Sequence, residues 1–208
     1  TLIAGPIQNY EPFQDGLKQI GRPDSRQCLA DIHRIVSGLI KAFIISPLFL
    51  DLSEVSALAG KEAGWLDFFT VLYGYPIYLY LNFSGYTDIM IGFARLSGFT
   101  TMPENFNWPF LSRNVQEFWT RWHMSFGAWI KLYVFAPLSK RMLYWSRGKH
   151  QGMALSIAVI LTFLIVGGWH GPTSNFIVFG LLHGLAVMVT AGWRAYLKKR
   201  LGKDGLQA

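Results

Sequence analysis

The chain has 208 residues, of which 51% are hydrophobic and only 15% are charged, and its net charge is +7. Soluble domains carry about 25% charged residues, so this composition argues against a soluble protein and favours a membrane protein. The basic residues cluster beside apolar segments, as in cytoplasmic loops of membrane proteins, and this argues against nucleic acid as a partner. Because Cys28 is the single cysteine, an internal disulfide and a cysteine-based metal site are excluded.

The N-terminal part predicts one helix that is interrupted by charges. It runs from about Cys28 to Leu50 and contains three charged residues and Pro47, so we expect it at a membrane interface or buried in protein. The stretch before it begins at Thr1 as a loop without a signal peptide, which indicates a piece of a longer protein.

Two consecutive helical segments follow. Trp65–Phe83 carries one charge near its start and aromatic residues at both ends, which is typical of a helix that spans a membrane. Its continuation, Ser84–Phe99, places Asp88 and Arg95 among apolar neighbours, where each charge needs a partner or water.

A loop and an aromatic helix come next. Thr100–Asn114 contains two prolines and three asparagines, a composition that favours turns. Val115–Phe135 is predicted to be one helix that ends before Pro137, because aromatic residues recur at spacings of four or three along one face. We expect His123, beside this face, to point into a cavity that the face helps to line.

The C-terminal part predicts a membrane hairpin. No Asp, Glu, Lys or Arg occurs from His150 to Trp193, a length sufficient for two crossings of a bilayer core of roughly 30 Å. We predict helices at about Gln151–Trp169 and Ser174–Trp193, with His170 at an extracytoplasmic turn, because two basic clusters flank the hairpin and mark its cytoplasmic side. The basic residues are Lys140, Arg141, Arg147, Lys149, Arg194, Lys198, Lys199, Arg200 and Lys203.

Three histidines lie within or beside the predicted membrane segments. An ionisable group at bilayer depth is costly unless it faces a cavity or a partner, so His123, His170 and His183 are functional candidates. Burial favours the neutral imidazole, which can accept a proton. The alternative is a histidine that only packs against a neighbouring helix, and Gly180 and Gly184 favour this alternative for His183.

Three long motifs occur in the order FSGYTDIMIGF, PENFNWPFLSRNVQEFWTRWHMS and GGWHGPTSNFIVFGLLHG. Together they resemble the membrane-bound O-acyltransferase family and, more narrowly, its bacterial branch that includes alginate O-acetyltransferase and teichoic-acid D-alanine transfer proteins. The opening AGPIQNY resembles the same branch. The PENFN segment favours the alginate-like side of the branch.

The resemblance implies an all-α, polytopic membrane fold, of which this chain is a fragment that forms one domain over residues 1–208. It implies that His170 is catalytic, that His123 is the second functional position, and that His183 is a further histidine of the branch. Lys131-Leu132 stands where relatives commonly carry an Arg-Asp pair, a departure that affects donor recognition or a local ion pair. Weaker candidates for a substrate channel are Trp119, Trp122, Tyr86, Asp88, Asn105 and Asn107.

The resemblance also implies the transfer of an acyl group, expected to be acetyl, from a cytoplasmic acyl-CoA or acyl-carrier thioester to a hydroxyl of an extracytoplasmic polysaccharide. His170 would act as general base or would itself become acylated, and His123 would orient the acceptor or stabilise the oxyanion. The expected partners are the lipid bilayer, the polysaccharide, an extracytoplasmic acetyltransferase and an acyl carrier protein. No bound cofactor and no metal are expected, and the expected location is the bacterial inner membrane, crossed several times.

Three alternatives remain open at this stage. Within the same family, D-alanyl transfer to teichoic acid is the alternative to acetyl transfer. A transporter or channel would use Asp88, Arg95 and the histidines to line a path, but the sequence shows no paired inverted repeat. A metal or haem protein would use the histidines as ligands, but the separations among His123, His170 and His183 match no compact ligand motif.

Overall fold

The computed structural model describes residues 6–54 and 64–201, and every regular element within them is helical. The all-α prediction is therefore confirmed. The chain forms two compact units, residues 1–105 and residues 106–208, which are described in turn. The interpretation of residues 1–208 as one domain stays a prediction. Lys203 and the first two residues of AGPIQNY lie outside the described residues.

The first unit contains a short helix and two long helical stretches. Its elements are α1 (Tyr10–Lys18), α2 (Ser25–Leu39), a π-helical turn (Ile40–Ile45), α3 (Ser46–Leu52) and α4 (Trp65–Leu96). Helix α2 begins where the Asp24 carboxylate accepts a hydrogen bond of 2.7 Å from the backbone N–H of Gln27. Proline lacks an N–H and its ring crowds the preceding turn, so the wider π-helical turn allows the helix to continue past Pro47.

The membrane-spanning capacity of this unit differs from the sequence prediction. Because α2, the π-helical turn and α3 are continuous, Ser25–Leu52 is long and apolar enough to cross a membrane, whereas we expected an interfacial or buried segment. The segment Trp65–Phe83 is helical as predicted and continues to Leu96. Three helices of the described residues are long and apolar enough to span a membrane, and α4 is not one of them. The four tyrosines within Trp65–Phe83 lower its mean hydropathy.

Helices α2 and α4 pack closely through two glycines. A Cβ atom at Gly38 would lie 2.6 Å from the carbonyl oxygen of Gly85, so a larger residue would push the two backbones apart. Nearby, Ile91 and Ala42 are buried and form part of the apolar core of this unit.

The charges between α2 and α4 are paired. Asp88 accepts hydrogen bonds from Arg34 at 2.9 Å and from Lys41 at 2.7 Å. Arg34 also forms a bidentate pair with Glu104, which accepts a further bond of 3.1 Å from Arg95. These bonds hold the pKa of Glu104 below its usual range, mainly through the Arg34 guanidinium. The expectation that Asp88 and Arg95 need partners is confirmed.

The second unit is built from five helices of its described residues, which extend to Leu201. They are α5 (Val115–Arg121), α6 (Met124–Ile130), α7 (Ala136–Trp145), α8 (Gln151–His170) and α9 (Ser174–Leu201). A π-helical turn, Lys131–Phe135, joins α6 to α7, and the preceding loop contains only a short 3-10 turn, Pro109–Leu111. The prediction of a loop for Thr100–Asn114, made from its prolines and asparagines, is therefore confirmed.

The predicted single helix Val115–Phe135 is wrong in two respects. It breaks at Trp122 and His123, because Trp122 is extended and His123 is left-handed with a φ of 44°. It also does not end before Pro137, since the π-helical turn makes room for the proline ring and α7 continues to Trp145.

Helices α8 and α9 form the predicted hairpin, and both are long and apolar enough to cross a membrane. A Cβ atom at Gly180 would lie 2.5 Å from the carbonyl oxygen of Phe163, and one at Gly184 would lie 3.3 Å from Cα of Ile160. The small residues beside His183 therefore let the two helices approach closely, as the sequence indicated.

Candidate active site

His170 is the last residue of α8 and lies at the turn of the hairpin, as predicted. Its imidazole stacks on Phe176 with ring centroids 5.8 Å apart, and it meets Phe179 edge-on at 5.6 Å. In the part of the chain that the structure describes, these ring contacts rather than hydrogen bonds orient the imidazole. Because His170 is also exposed, its ring nitrogens can exchange a proton with a substrate.

Glycines make room for the aromatic ring that supports His170. A Cβ atom at Gly171 would lie 2.7 Å from the ring of Phe176, and a Cβ atom at Gly167 would collide with the Phe176 backbone. In contrast, a Cβ atom at Gly168 would meet nothing within 4 Å. Gly167 and Gly171, one on each side of Trp169-His170, therefore allow Phe176 to stack on the imidazole, whereas Gly168 has no such role.

His123 joins α5 to α6 in a left-handed backbone conformation, with φ of 44° and ψ of 55°. This conformation is uncommon for residues other than glycine, and such strain is often found at functional sites. Burial lowers the pKa of His123 to about 4, and the nearby His170 adds a smaller lowering. The His123 imidazole is therefore neutral near pH 7 and can donate one hydrogen bond and accept another.

A stack of aromatic rings connects the two histidines. The His123 imidazole stacks on Phe126 with centroids 5.0 Å apart, and Phe126 stacks on Trp169 at 4.7 Å. Trp169 in turn meets the imidazole of its neighbour His170 at 4.9 Å. Two histidines that are distant in sequence are thus held by one continuous set of ring contacts.

His123 lines a cavity of about 350 Å³ between α5, α6, α8 and α9. His170 is not part of its wall, so the expectation that His170 faces a cavity is not met by this one. Lys131, the residue that departs from the family pattern, lies in the wall near His123. Other lining residues are Trp119, Trp122, Phe126, Phe163 and Val166.

His183 lies inside α9, away from the hairpin turn, and aromatic rings surround it. It contacts Phe179 at 4.4 Å and meets Trp119 edge-on at 5.2 Å. The indole Nε1 of Trp119 is buried and has no hydrogen-bond acceptor among the described residues. Trp119 lines the cavity and His183 does not, which favours Trp119 over His183 as a substrate contact.

The other channel candidates have identified contacts of their own. Trp122 stacks on Phe118 at 5.6 Å and lines the cavity. The backbone N–H of Asn107 donates a hydrogen bond of 2.9 Å to the carbonyl of Arg121, and this bond fixes the loop before α5. Trp122 therefore packs against Phe118 with one part of its ring, and the backbone of Asn107 stabilises the loop.

Three further candidates belong to the first unit. Tyr86 meets Phe43 edge-on at 5.5 Å, Asp88 is paired as described above, and Asn105 is only 1% exposed. Their contribution to a substrate channel stays a prediction.

Sequence reasoning missed the rings that position the histidines. Phe126 was recognised only as part of an aromatic face, and Phe176 and Phe179 were not singled out. The positions of Phe176 and Phe179 were informative, because they lie one and two helical turns after a turn that contains His170. The contact of Phe126 with Trp169 joins separate helices and has no local sequence signal.

Comparison with known proteins identifies the family. A model of the membrane-bound O-acyltransferase family matches residues 1–201. The chain belongs to this family. It is 35% identical to the teichoic acid D-alanyltransferase of Bacillus subtilis over 91% of this chain, and 34% identical to a probable alginate O-acetylase of Azotobacter vinelandii over 88%. It is also 30% identical to the peptidoglycan O-acetyltransferase of Helicobacter pylori over 90%.

The chain spans only part of these relatives. The matched regions cover 48% of the Bacillus protein, 35% of the Azotobacter protein and 34% of the Helicobacter protein. The names of the three relatives give two transferred groups, D-alanyl and acetyl, and three acceptors, teichoic acid, alginate and peptidoglycan, while their identities to this chain are similar. Family membership is therefore established, and the donor and the acceptor are not decided by identity alone.

Proposed function

We propose that this chain provides the catalytic histidines of an O-acyltransferase of the bacterial inner membrane. The proposed reaction moves an acetyl group from a thioester to a hydroxyl of an extracytoplasmic polysaccharide. The observation that supports it best is the stack His123–Phe126–Trp169–His170, in which three successive ring contacts link two histidines of separate segments within a unit that has two helices long and apolar enough to span a membrane.

His170 is the proposed general base. Its neutral imidazole removes the proton of the acceptor hydroxyl as the hydroxyl oxygen attacks the thioester carbonyl. A new C–O bond forms, the C–S bond breaks, and the protonated imidazole returns the proton to the leaving thiolate. The exposed position of His170 at the end of α8 supports this role, since a polymer hydroxyl has to reach the base.

His123 is proposed to bind the reacting oxygen. Because its pKa is about 4, it is neutral at physiological pH and retains one N–H donor. An N–H directed at the carbonyl oxygen would stabilise the negative charge that develops there during attack. The left-handed backbone at His123 supports this proposal, because it fixes the residue between α5 and α6.

The arrangement of α8 and α9 supports a donor and an acceptor on opposite sides of the membrane. Helix α8 has 20 residues, so its basic N-terminal end lies about 30 Å from His170. We propose that an acyl-CoA or an acyl carrier protein supplies the thioester on the basic, cytoplasmic side. An extracytoplasmic acetyltransferase is proposed as a partner that assists acetylation of the polysaccharide.

D-alanyl transfer to teichoic acid is the second candidate, because the Bacillus relative that is 35% identical carries that name. The two are separated by offering the membrane-reconstituted protein a labelled acetyl thioester and, separately, a labelled D-alanyl carrier thioester. The proposal predicts that only the acetyl label becomes esterified to a polymer hydroxyl. Transfer of the D-alanyl label alone would replace the first candidate with the second, and transfer of neither would contradict both.

A further inference from the structure

In the C-terminal part of the second unit, the described basic residues from Lys140 to Arg200 form no ion pair with an acidic residue of the described chain. No Asp or Glu occurs between Glu117 and Asp204. The described part of this interval contains ten Lys and Arg residues, of which eight lie in α7, α9 and the loop before α8, while Arg121 and Lys131 precede α7. The eight are Lys140, Arg141, Arg147, Lys149, Arg194, Lys198, Lys199 and Arg200, and are called here the basic end.

The fold gathers these residues at one end of the hairpin. Helix α7 ends at Trp145, the loop 146–150 follows, and α8 starts at Gln151. Because α9 runs antiparallel to α8, its residues from Trp193 onward lie beside the start of α8. The two sequence clusters therefore form a single basic surface at the end opposite to His170.

Near the ends of both α7 and α9, an arginine guanidinium lies over the face of an aromatic ring. In α7, the guanidinium carbon of Arg141 lies 4.9 Å from the centre of the Trp145 ring. In α9, that of Arg200 lies 5.3 Å from the centre of the Tyr196 ring, and Tyr196 stacks on Trp193 at 5.7 Å. An aromatic face holds a guanidinium in place while its N–H edge remains able to bind an anion.

The corner between α7 and α8 provides a concave surface. An open cavity of about 610 Å³ is lined by Tyr144, Trp145 and Arg147, together with two neighbouring residues. Tyr144 is 79% exposed and Trp145 is 61% exposed. Arg147 has a left-handed φ of 51°, and the following Gly148 has a φ of 71°, so the loop turns sharply at this cavity.

We infer that the basic end binds the phosphate headgroups of anionic phospholipids, with the corner cavity as the principal site. Exposed Trp and Tyr next to apolar spans are typical of the headgroup level of a bilayer, which favours a lipid over a soluble polyanion. Each Lys or Arg near an anionic surface strengthens binding, and the described residues of this surface include no Asp or Glu. The inference does not depend on the proposed acyl transfer.

Native mass spectrometry of the intact, detergent-purified protein tests the inference. The measured quantity is the ratio of retained phosphatidylglycerol to retained phosphatidylcholine when both are supplied equally. The combined variant Arg141→Gln, Arg147→Gln, Lys149→Gln is expected to lower this ratio by at least about tenfold. The variant Arg141→Lys, Arg147→Lys keeps the charge and is expected to retain most of the preference, which separates lost charge from lost folding.

A matched control removes three exposed cations elsewhere: Lys18→Gln, Arg22→Gln, Arg26→Gln. It is expected to leave the lipid ratio unchanged. An equal loss in the control, or an unchanged ratio in the corner variant, would overturn the inference. Displacement of the retained lipid by soluble coenzyme A at equal concentration would also overturn it, because the site would then recognise the phosphates of a donor.

Discussion

The ring of Phe126 stacks on the indole of Trp169 with centroids 4.7 Å apart and an interplanar angle of 28°. Phe126 is buried in α6, while Trp169 lies in the last turn of α8 directly before His170. This contact is therefore the point at which the segment that carries His123 meets the segment that carries His170.

Replacing Phe126 tests whether this contact positions the histidines. Phe126→Ala is expected to lower kcat about 10²-fold with a smaller change in KM, because a shift of about 1 Å in a catalytic group has that cost. Phe126→Tyr keeps the ring and should restore most of the activity. Equal losses in both variants, or a change confined to KM, would count against a positioning role.

The glycines around His170 give a matched pair of substitutions. Gly171→Ala places a methyl group 2.7 Å from the Phe176 ring, so it should displace the ring that supports His170 and lower kcat by about 10²-fold. Gly168→Ala meets nothing within 4 Å and should retain full activity and a normal melting temperature. The steady-state rates of the two variants provide the comparison, and equal rates would refute the assigned role of Phe176.

His123 predicts a specific dependence of stability on pH. Its pKa is about 4 in the folded protein and about 6.5 in the unfolded chain, so the unfolded chain binds more protons as the pH falls below 6.5. The folded protein should therefore lose stability between pH 6.5 and pH 4. His123→Asn tolerates the left-handed backbone and does not titrate, so its melting temperature should fall less over this interval. Parallel falls in both proteins would contradict the burial of His123.

The ionic contacts of Asp88 are predicted to be structural. Asp88→Ala leaves Arg34 and Lys41 without their shared carboxylate, so it should reduce the free energy of unfolding by about 3 kcal/mol. The exposed pair of Asp15 and Lys18 is a control, since Asp15→Ala should cost less than about 1 kcal/mol. Thermal unfolding in detergent measures both. A loss of activity in Asp88→Ala with unchanged stability would instead support a substrate-channel role.

Sequence patterns predicted the features that are local along the chain. The long interval without charged residues and the basic clusters that flank it predicted the α8–α9 hairpin with His170 at its turn. The break at Trp122 and His123 was missed, because the aromatic spacing of a helix continues across it while the backbone does not. Pro137 was misread as a helix end, because the residue pattern does not reveal the π-helical turn before it.

Contacts between distant segments could not be predicted in the same way. The stacking of Phe126 on Trp169 and the pairing of Arg34 with Glu104 each join residues far apart in sequence. The aromatic residues indicated packing and the charged residues indicated a need for a counter-charge. Which partner each residue contacts depends on how the helices assemble. The motif resemblance predicts functional roles for His170 and His123, and the structure shows which rings hold their imidazoles.

The central claim is tested most directly by the rate of acyl transfer in His170→Ala. The measurement compares ester formation by the membrane-reconstituted wild-type protein, His170→Ala and the control His33→Ala, whose side chain is exposed in α2. We expect His170→Ala to lose at least about 10²-fold in kcat with an unchanged melting temperature, and His33→Ala to retain the wild-type rate. Wild-type activity in a folded His170→Ala protein would contradict the assignment of His170 as the catalytic base.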